Sequence, residues 1–354
     1  MSIARKIVKC TIFRPTKKKL ELLEKEYRNA QEFLQLKDVF WWDKNIHKKF
    51  NIRLYSATIQ AMDKYVKDGE LDKEYPLFLR NDTFRVEKAK NTKYFDYWVK
   101  VPIANYWGGI WLPIKPHQEI KEDWNVKDSK IVRKNDYFEL HLVVEKEVKI
   151  KESSNILAVD LGERYQATVL LNGRPIFYGK EIRGIRRKYA YIRKKLGEKK
   201  LLKEIKRFGQ KERRAVNNYL HNIANAIIGL AIDTNSIVAF GELKGIRKNS
   251  KGRKFNRILS NWAVHKLSNY IEYKAEWNGI KVIKIDERGT SHTCSRCGSE
   301  GKRPYQGLFV CKSCGYQANA DFVGCQNIKK KVEEYISENG IVCEPVLNSG
   351  EVKL

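Results

Sequence analysis

The sequence predicts an α/β chain built from several domains. Three observations carry this. The hydrophobic period switches repeatedly between two and 3.6 residues along the chain. Its 354 residues suffice for two or three separate cores. Two Cys-x2-Cys pairs, thirteen residues apart, mark a small module organised by a metal ion rather than by apolar area.

The elements follow in order. Ile3 to Phe13 reads as a first strand, with Val8, Cys10 and Ile12 on one face and Ile7, Thr11 and Phe13 on the other. Pro15-Thr16 breaks it and offers a helix cap. Leu20, Leu23, Tyr27, Ala30, Phe33 and Leu34 recur at helical spacing, and Ile59, Met62 and Val66 repeat the pattern. Pro76 and Asn81-Asp82 mark turns. Strands are predicted at Tyr97 to Ile103, at Ile110 to Leu112 after a turn at Gly108-Gly109, and at Tyr137 to Val144. A strand, a helical insert and a return to strands suggest a small β-barrel with a helical excursion. Its Trp and Tyr residues suit either a core or base stacking. Ser153-Ser154-Asn155 reads as a domain boundary, and the tail after Ile341 as disordered.

Charge bounds the partner. The formal net charge is +28, which destabilises a compact chain unless an anion offsets it. Nucleic acid is the expected anion, because phosphate neutralisation releases condensed counterions. Arg183 to Arg214 is dominated by Lys and Arg, with Leu196, Leu201, Leu202 and Ile205 spaced as a helix or helical hairpin. It is either a solvated face or a phosphate-tracking one. No apolar window has the length of a membrane span, and the alternating, basic first residues are not a signal peptide. Seven cysteines, four of them in tight pairs, point to a reducing compartment and metal binding, not to disulfides.

Cys294, Cys297, Cys311 and Cys314 are expected to bind Zn2+ in a closed, structural tetrahedral site. Gly298 and Gly315, each following a second cysteine, relieve the backbone where amides turn back toward sulfur. Arg296, Lys302, Arg303 and Lys312 make the ribbon basic. Cys10, Cys325 and Cys343 lack such spacing and read as ordinary thiols.

Three acids stand out by context. Asp160 ends the apolar run Ile156 to Val159 and precedes Leu161-Gly162. Two further strands follow, Thr168 to Leu171 and Ile176 to Tyr178, around a turn at Asn172-Gly173. Glu242 ends a second run, Ile237 to Gly241, after a long helical pattern through Ala215, Tyr219, Ile223, Ala226, Ile227 and Leu230. Another strand, Val282 to Ile285, precedes the ribbon. Asp321 then opens a helix through Val323, Ile328, Val332 and Ile336. This order resembles the plan of the RNase H superfamily. Its chemistry needs clustered carboxylates to hold two Mg2+ ions, or Mn2+ in their place, about 4 Å apart.

Longer stretches resemble one family. Thr290 to Gly298, Cys311-x-x-Cys314-Gly315 and Asn319-Ala320-Asp321 to Asn327-Ile328 are similar to the C-terminal signature of TnpB proteins. So are Asp160-Leu161-Gly162, Glu242 to Ile246, Asn261-Trp262 and Tyr273-Lys274-Ala275. TnpB proteins are transposon-encoded nucleases related to compact type V CRISPR effectors. The resemblance implies a β-barrel wedge domain over 1–14 and 81–152, split by a helical recognition insertion over 15–80. It implies an RNase H-like RuvC nuclease domain over 153–286 and 318–340, and a zinc ribbon that binds target nucleic acid over 287–317. It also implies a prokaryotic, cytoplasmic, nucleoid-associated RNA-guided DNA endonuclease, with Asp160, Glu242 and Asp321 as catalytic magnesium ligands. Its guide RNA would come from the transposon end, and it would cut double-stranded DNA beside a short flanking motif. The alternatives are a catalytically idle RNA-guided regulator and a RuvC-like nuclease working without a guide.

Overall fold

The computed structural model describes residues 2–40, 42–43, 45–65, 75–90, 92–134, 137–153, 155–242, 264–286, 289–305 and 307–339. Val66, the stretch Leu243 to Ile246, Asn261-Trp262, Cys343 and the tail 341–354 lie outside them. The chain divides into two compact units, Ile3–Glu147 and Val148–Leu354 with Met1–Ser2. No helix among the described residues is long and apolar enough to cross a membrane.

The first unit holds seven strands: β1 (Ser2–Ile12), β2 (Leu77–Leu79), β3 (Arg85–Lys88), β4 (Tyr97–Ile103), β5 (Tyr106–Pro116), β6 (Asn125–Lys134) and β7 (Tyr137–Val148). They form one sheet in the order β2-β6-β7-β1-β5-β4-β3. Between β1 and β2 the chain makes α1 (Lys17–Val39), α2 (Ile46–Lys49) and α3 (Ser56–Tyr65). The expected alternation in β1 is present: Val8, Cys10 and Ile12 are buried, while Ile7 is exposed. Leu23, Tyr27, Ala30, Phe33 and Leu34 form the buried stripe of α1. Tyr27 meets Phe138 edge-on at 5.4 Å. Thr16 occupies the cap position with extended backbone, but its hydroxyl makes no capping bond.

One expected turn is elsewhere. The β4–β5 reversal falls at Ala104-Asn105, with Ile103 opposite Tyr106 and Asn105 at φ 57°. Gly108 and Gly109 lie inside β5, both with positive φ. A glycine pair tolerates left-handed backbone within a strand as readily as in a turn, so the dipeptide alone does not separate the two.

The second unit is organised by a mixed sheet of β8 (Asn155–Asp160), β9 (Ala167–Leu171), β10 (Arg174–Tyr178), β11 (Ser236–Glu242) and β12 (Val282–Asp286). Their order is β10-β9-β8-β11-β12. The β8, β9 and β10 meander is antiparallel, whereas β11 runs parallel to both β8 and β12. Asn172 and Gly173, both with positive φ, close the β9–β10 hairpin.

Helices α4 (Lys180–Glu198) and α5 (Leu202–Asp233) link β10 to β11, and α6 (Val264–Trp277) precedes β12. The pleat sends alternate side chains to opposite faces. Leu157, Val159, Val238 and Phe240 pack with Leu220 and Ile227 of α5 and with Leu267 and Ile271 of α6. Ala158, Ile237, Ala239, Ile283 and Ile285 pack with Cys325, Ile328, Val332 and Ile336 of the last helix, α7 (Ala320–Glu338). Burial on both faces explains why β8 and β11 read as unbroken apolar runs.

Candidate functional site

Between β12 and α7 lies a small antiparallel sheet, β13 (Gly301–Lys302), β14 (Leu308–Cys311) and β15 (Gln317–Asn319). It brings together Cys294, Cys297, Cys311 and Cys314, whose sulfurs all lie within 4.8 Å of one another. Cys294 Sγ is 3.7 Å from Cys314 Sγ, and Cys297 Sγ is 3.5 Å from Cys311 Sγ. A tetrahedron of Zn–S bonds near 2.3 Å places its sulfurs about 3.8 Å apart, so the four thiolates fit zinc. Gly298 (φ 74°) and Gly315 (φ 68°) have the left-handed backbone the two knuckles require. The Arg296 amide donates to Cys294 Sγ, and those of Ser313 and Cys314 to Cys311 Sγ, each at 3.4 Å. Hydrogen bonds led by the Ser299 side chain pull the Cys297 thiol down to about 6. Gly301 leaves room for Phe309, whose ring would lie 2.2 Å from any Cβ at that position.

The ribbon is bolted to α7. The Asn327 amide, buried at 6% exposure, donates to Thr290 O and Thr293 O, both at 2.7 Å. Ser295 donates to Gln326 Oε1 at 2.7 Å, and Lys330 donates to Ser295 O. The ribbon's singled-out cations make contacts within the second unit. Arg296 lies over the Tyr316 ring at 4.1 Å, Lys312 pairs with Glu300, and Arg303 donates to Ser291 O and Ala320 O.

The strand β15 runs directly into α7. Asn319 ends the strand and caps the helix, its side chain accepting from the amides of Asp321 and Phe322. Asp321 therefore sits in the first turn of α7. Asp160, at the end of the central strand β8, lies against the next turn: a Cβ added to Gly324 would be 2.7 Å from Asp160 Oδ2. Near both acids is Cys325, whose thiol donates to Thr168 O at 3.0 Å. Burial first, then the nearby charge of Asp160, pushes that thiol well above its ordinary value. Burial likewise raises the Asp321 carboxyl, against the opposing pull of Arg303 and Arg164.

Glu242 ends β11, the strand beside β8, and its side chain is outside the described residues. Its register partner on β12 is Asp286. Sequence reasoning missed Asp286 and Arg164, and named Arg303 only as one of the ribbon's cations. Arg303 reaches Asp321 from the ribbon. Arg164 comes from the β8–β9 loop and lies so close over Gly307 that a Cβ there would meet its guanidinium at 2.5 Å. Asn319, two residues before Asp321, carries a further legible signal, as a helix cap.

A ribbon of four cysteines seated on the last helix of a mixed sheet has a counterpart among known families. Residues 265–328 match the family profile described as Cas12f1-like, TNB domain. The chain is similar to TnpB-like and Cas12f1 proteins, in keeping with the resemblance of its motifs. It is 31% identical over 242 residues to the CRISPR-associated endodeoxyribonuclease Cas12f1 of Sulfoacidibacillus thermotolerans, covering 61% of this chain and 56% of that protein. The chain thus spans little more than half the length of that relative. It is 29% identical over 230 residues to a TnpB-like protein of Methanocaldococcus jannaschii, covering 60% of this chain and 82% of the other. A solved Cas12f1–sgRNA–target DNA complex contains a chain of similar fold, with a TM-score of 0.62, 15% identity, and coverage of 88% of this chain and 83% of that one.

Proposed function

We propose that this protein is an RNA-guided DNA endonuclease of the TnpB type, hydrolysing phosphodiesters of double-stranded DNA at one RuvC-like site beside a short flanking motif. The observation that carries the proposal is the approach of Asp160, on the central strand, to the helical turn that presents Asp321. Glu242 ends the neighbouring strand. Sheet order supports an RNase H-like reading: an antiparallel meander followed by two parallel strands, with the acids at strand and helix ends. The relatives' names support the guided nuclease, and those motifs support a guide drawn from a transposon end. The wedge reading rests on the seven-stranded sheet with helices between β1 and β2.

Asp160, Glu242 and Asp321 are the residues to hold Mg2+ or Mn2+. Hard carboxylate oxygens suit a divalent cation, and burial already disfavours the charge of the Asp321 carboxylate. Such ions supply an activated water and stabilise the leaving oxygen when bound. The protein's own part is to place the acids and to bring Arg303 and Arg164 beside Asp321, where a phosphodiester's charge needs offsetting. The α4–α5 hairpin is the nucleic-acid arm: residues 183–214 carry fifteen Lys and Arg against three Glu, a net +12. The zinc of the ribbon is structural.

The test has two arms. RNA bound to the purified protein is sequenced, and a discrete species with one defined end and a variable guide segment is expected. Loaded with that RNA, Asp160→Ala loses Mg2+-dependent cleavage and keeps DNA binding. Normal cutting by Asp160→Ala would remove the active-site assignment, and absence of bound RNA would return the chain to an unguided nuclease.

A further inference from the structure

The β4–β5 hairpin of the first unit carries a feature that the nuclease site does not use. Ala104-Asn105 already completes the chain reversal, with Ile103 opposite Tyr106. Gly108 and Gly109 then add two left-handed residues inside β5, where the turn does not need them. Their effect is local. A Cβ at Gly109 would lie 2.5 Å from Val101 O, so the two strands approach too closely for any side chain there. Beside Gly108 there is open space. A bulge of this kind re-aims the neighbouring side chain. That neighbour is Trp107, an indole with 102% exposure.

The open space is a cleft of about 670 Å3, within the range of small-ligand pockets. Trp107, Tyr106, Tyr55 and Thr83 line it, with Lys100 from the adjacent strand β4. The walls are fixed from beneath by one buried acid. Glu26 is 2% exposed and accepts from the Tyr55 amide at 2.9 Å and from the Ala104 amide, at the root of the hairpin, at 3.0 Å. One carboxyl group therefore ties the Tyr55 segment to the root of the hairpin, so this part of the lining is set before a ligand arrives.

We propose that this cleft takes one unpaired nucleobase, stacked on Trp107, with its phosphate against Lys100. The inference rests on the nucleic-acid reading above and adds a contact outside the carboxylate site. The chemistry selects the occupant. A bare indole face and two tyrosines offer π surface to any base. A lysine ammonium offers a point charge to phosphate. A stacked duplex interior presents no free base face, so the base must be unpaired. Single-stranded DNA, single-stranded RNA and a free mononucleotide share this chemistry.

The experiment measures binding of the full-length protein to fluorescein-labelled oligothymidylate, oligouridylate and an abasic deoxyribose-phosphate chain of equal length, with TMP and UMP as competitors. Trp107→Ala is expected to weaken binding of a base-bearing oligonucleotide by about tenfold, the scale of one lost stack. Trp107→Phe stays within about threefold, and binding of the abasic chain does not change. The salt slope is untouched by Trp107→Ala and falls by roughly one phosphate in Lys100→Gln. Whichever of oligothymidylate and oligouridylate loses more identifies the strand, and competition by TMP or UMP at comparable concentration identifies a mononucleotide. Because Trp107 is fully exposed, its variants keep the wild-type Tm. A 2-aminopurine base in the oligonucleotide, quenched by the wild type and not by Trp107→Ala, reports stacking directly. Equal affinity and equal quenching in wild type and Trp107→Ala would overturn the proposal while leaving the nuclease reading intact. Failure of the wild type to bind any oligonucleotide would overturn both.

Discussion

The zinc ribbon and the five-stranded sheet sit side by side in one unit and are held together by different forces. Among the described residues, the sheet has a cluster of nineteen buried apolar residues on its α5–α6 face. The ribbon's cluster has five, Cys294, Phe309, Cys311, Ala320 and Val323, and the last two belong to α7. At roughly 1.5–3 kcal/mol for each fully buried large side chain, the sheet can fold on area alone. The ribbon has far less apolar area, and its four cysteines, which could hold zinc, offer another source of organising energy. Two neighbouring structures of similar regularity thus answer to different perturbations.

Cys311→Ser should have the largest effect. Apparent zinc-binding energies at such sites are about 10–16 kcal/mol, so the ribbon should lose its zinc and its fold together. Native-state hydrogen exchange would show β13 to β15 unprotected while β8 and β11 stay protected. Loss of protection throughout the sheet would erase the distinction. Leu220→Ala tests the other side. It should cost about 2–5 kcal/mol in chemical denaturation and leave one zinc per chain by metal analysis. Next comes cleavage: Asp160→Ala should remove activity with little change in the midpoint of either region. Asn319→Ala removes the cap at the joint and should cost about 1 kcal/mol, read as a lower Tm.

The smallest effect is a shift in pH. Cys297 is held as a thiolate down to about 6, chiefly by Ser299. A thiol depressed by folding contributes fully above its ordinary value near 9 and loses that contribution progressively as the pH falls toward about 6, where protons also compete with zinc. Ser299→Ala raises the thiol toward its ordinary value. A chelator-linked assay should then see zinc released at a higher pH than in the wild type.

What the sequence makes legible is local. The four cysteines and their two glycines lie within one short stretch, and the Asn172-Gly173 hairpin is written in adjacent residues. The strand β6 escaped, and its structure explains why. Asp128-Ser129 has the composition of a turn, yet Ser129 is buried at a break in the β6–β7 register. Its hydroxyl donates to Lys127 O and accepts from the Val143 amide, making good a missing ladder bond. The meeting of Arg164 and Arg303 at Asp321 escaped for another reason. The two are far apart in sequence and meet only because the ribbon folds back over the β8–β9 loop. Gly108-Gly109 was visible but ambiguous, since only pairing decides between a turn and a bulge.

The seam between β15 and α7 has no linker. Asn319 is at once the last residue of the ribbon's sheet and the cap of the helix that carries Asp321, and Asn327 reaches back two turns later. The ribbon is therefore not a detachable cassette. Anyone grafting a ribbon from a relative onto this scaffold, or trimming it for a smaller tool, must place the splice beyond Asn327. A cut at the apparent domain edge would sever a joint that the polypeptide treats as a single part.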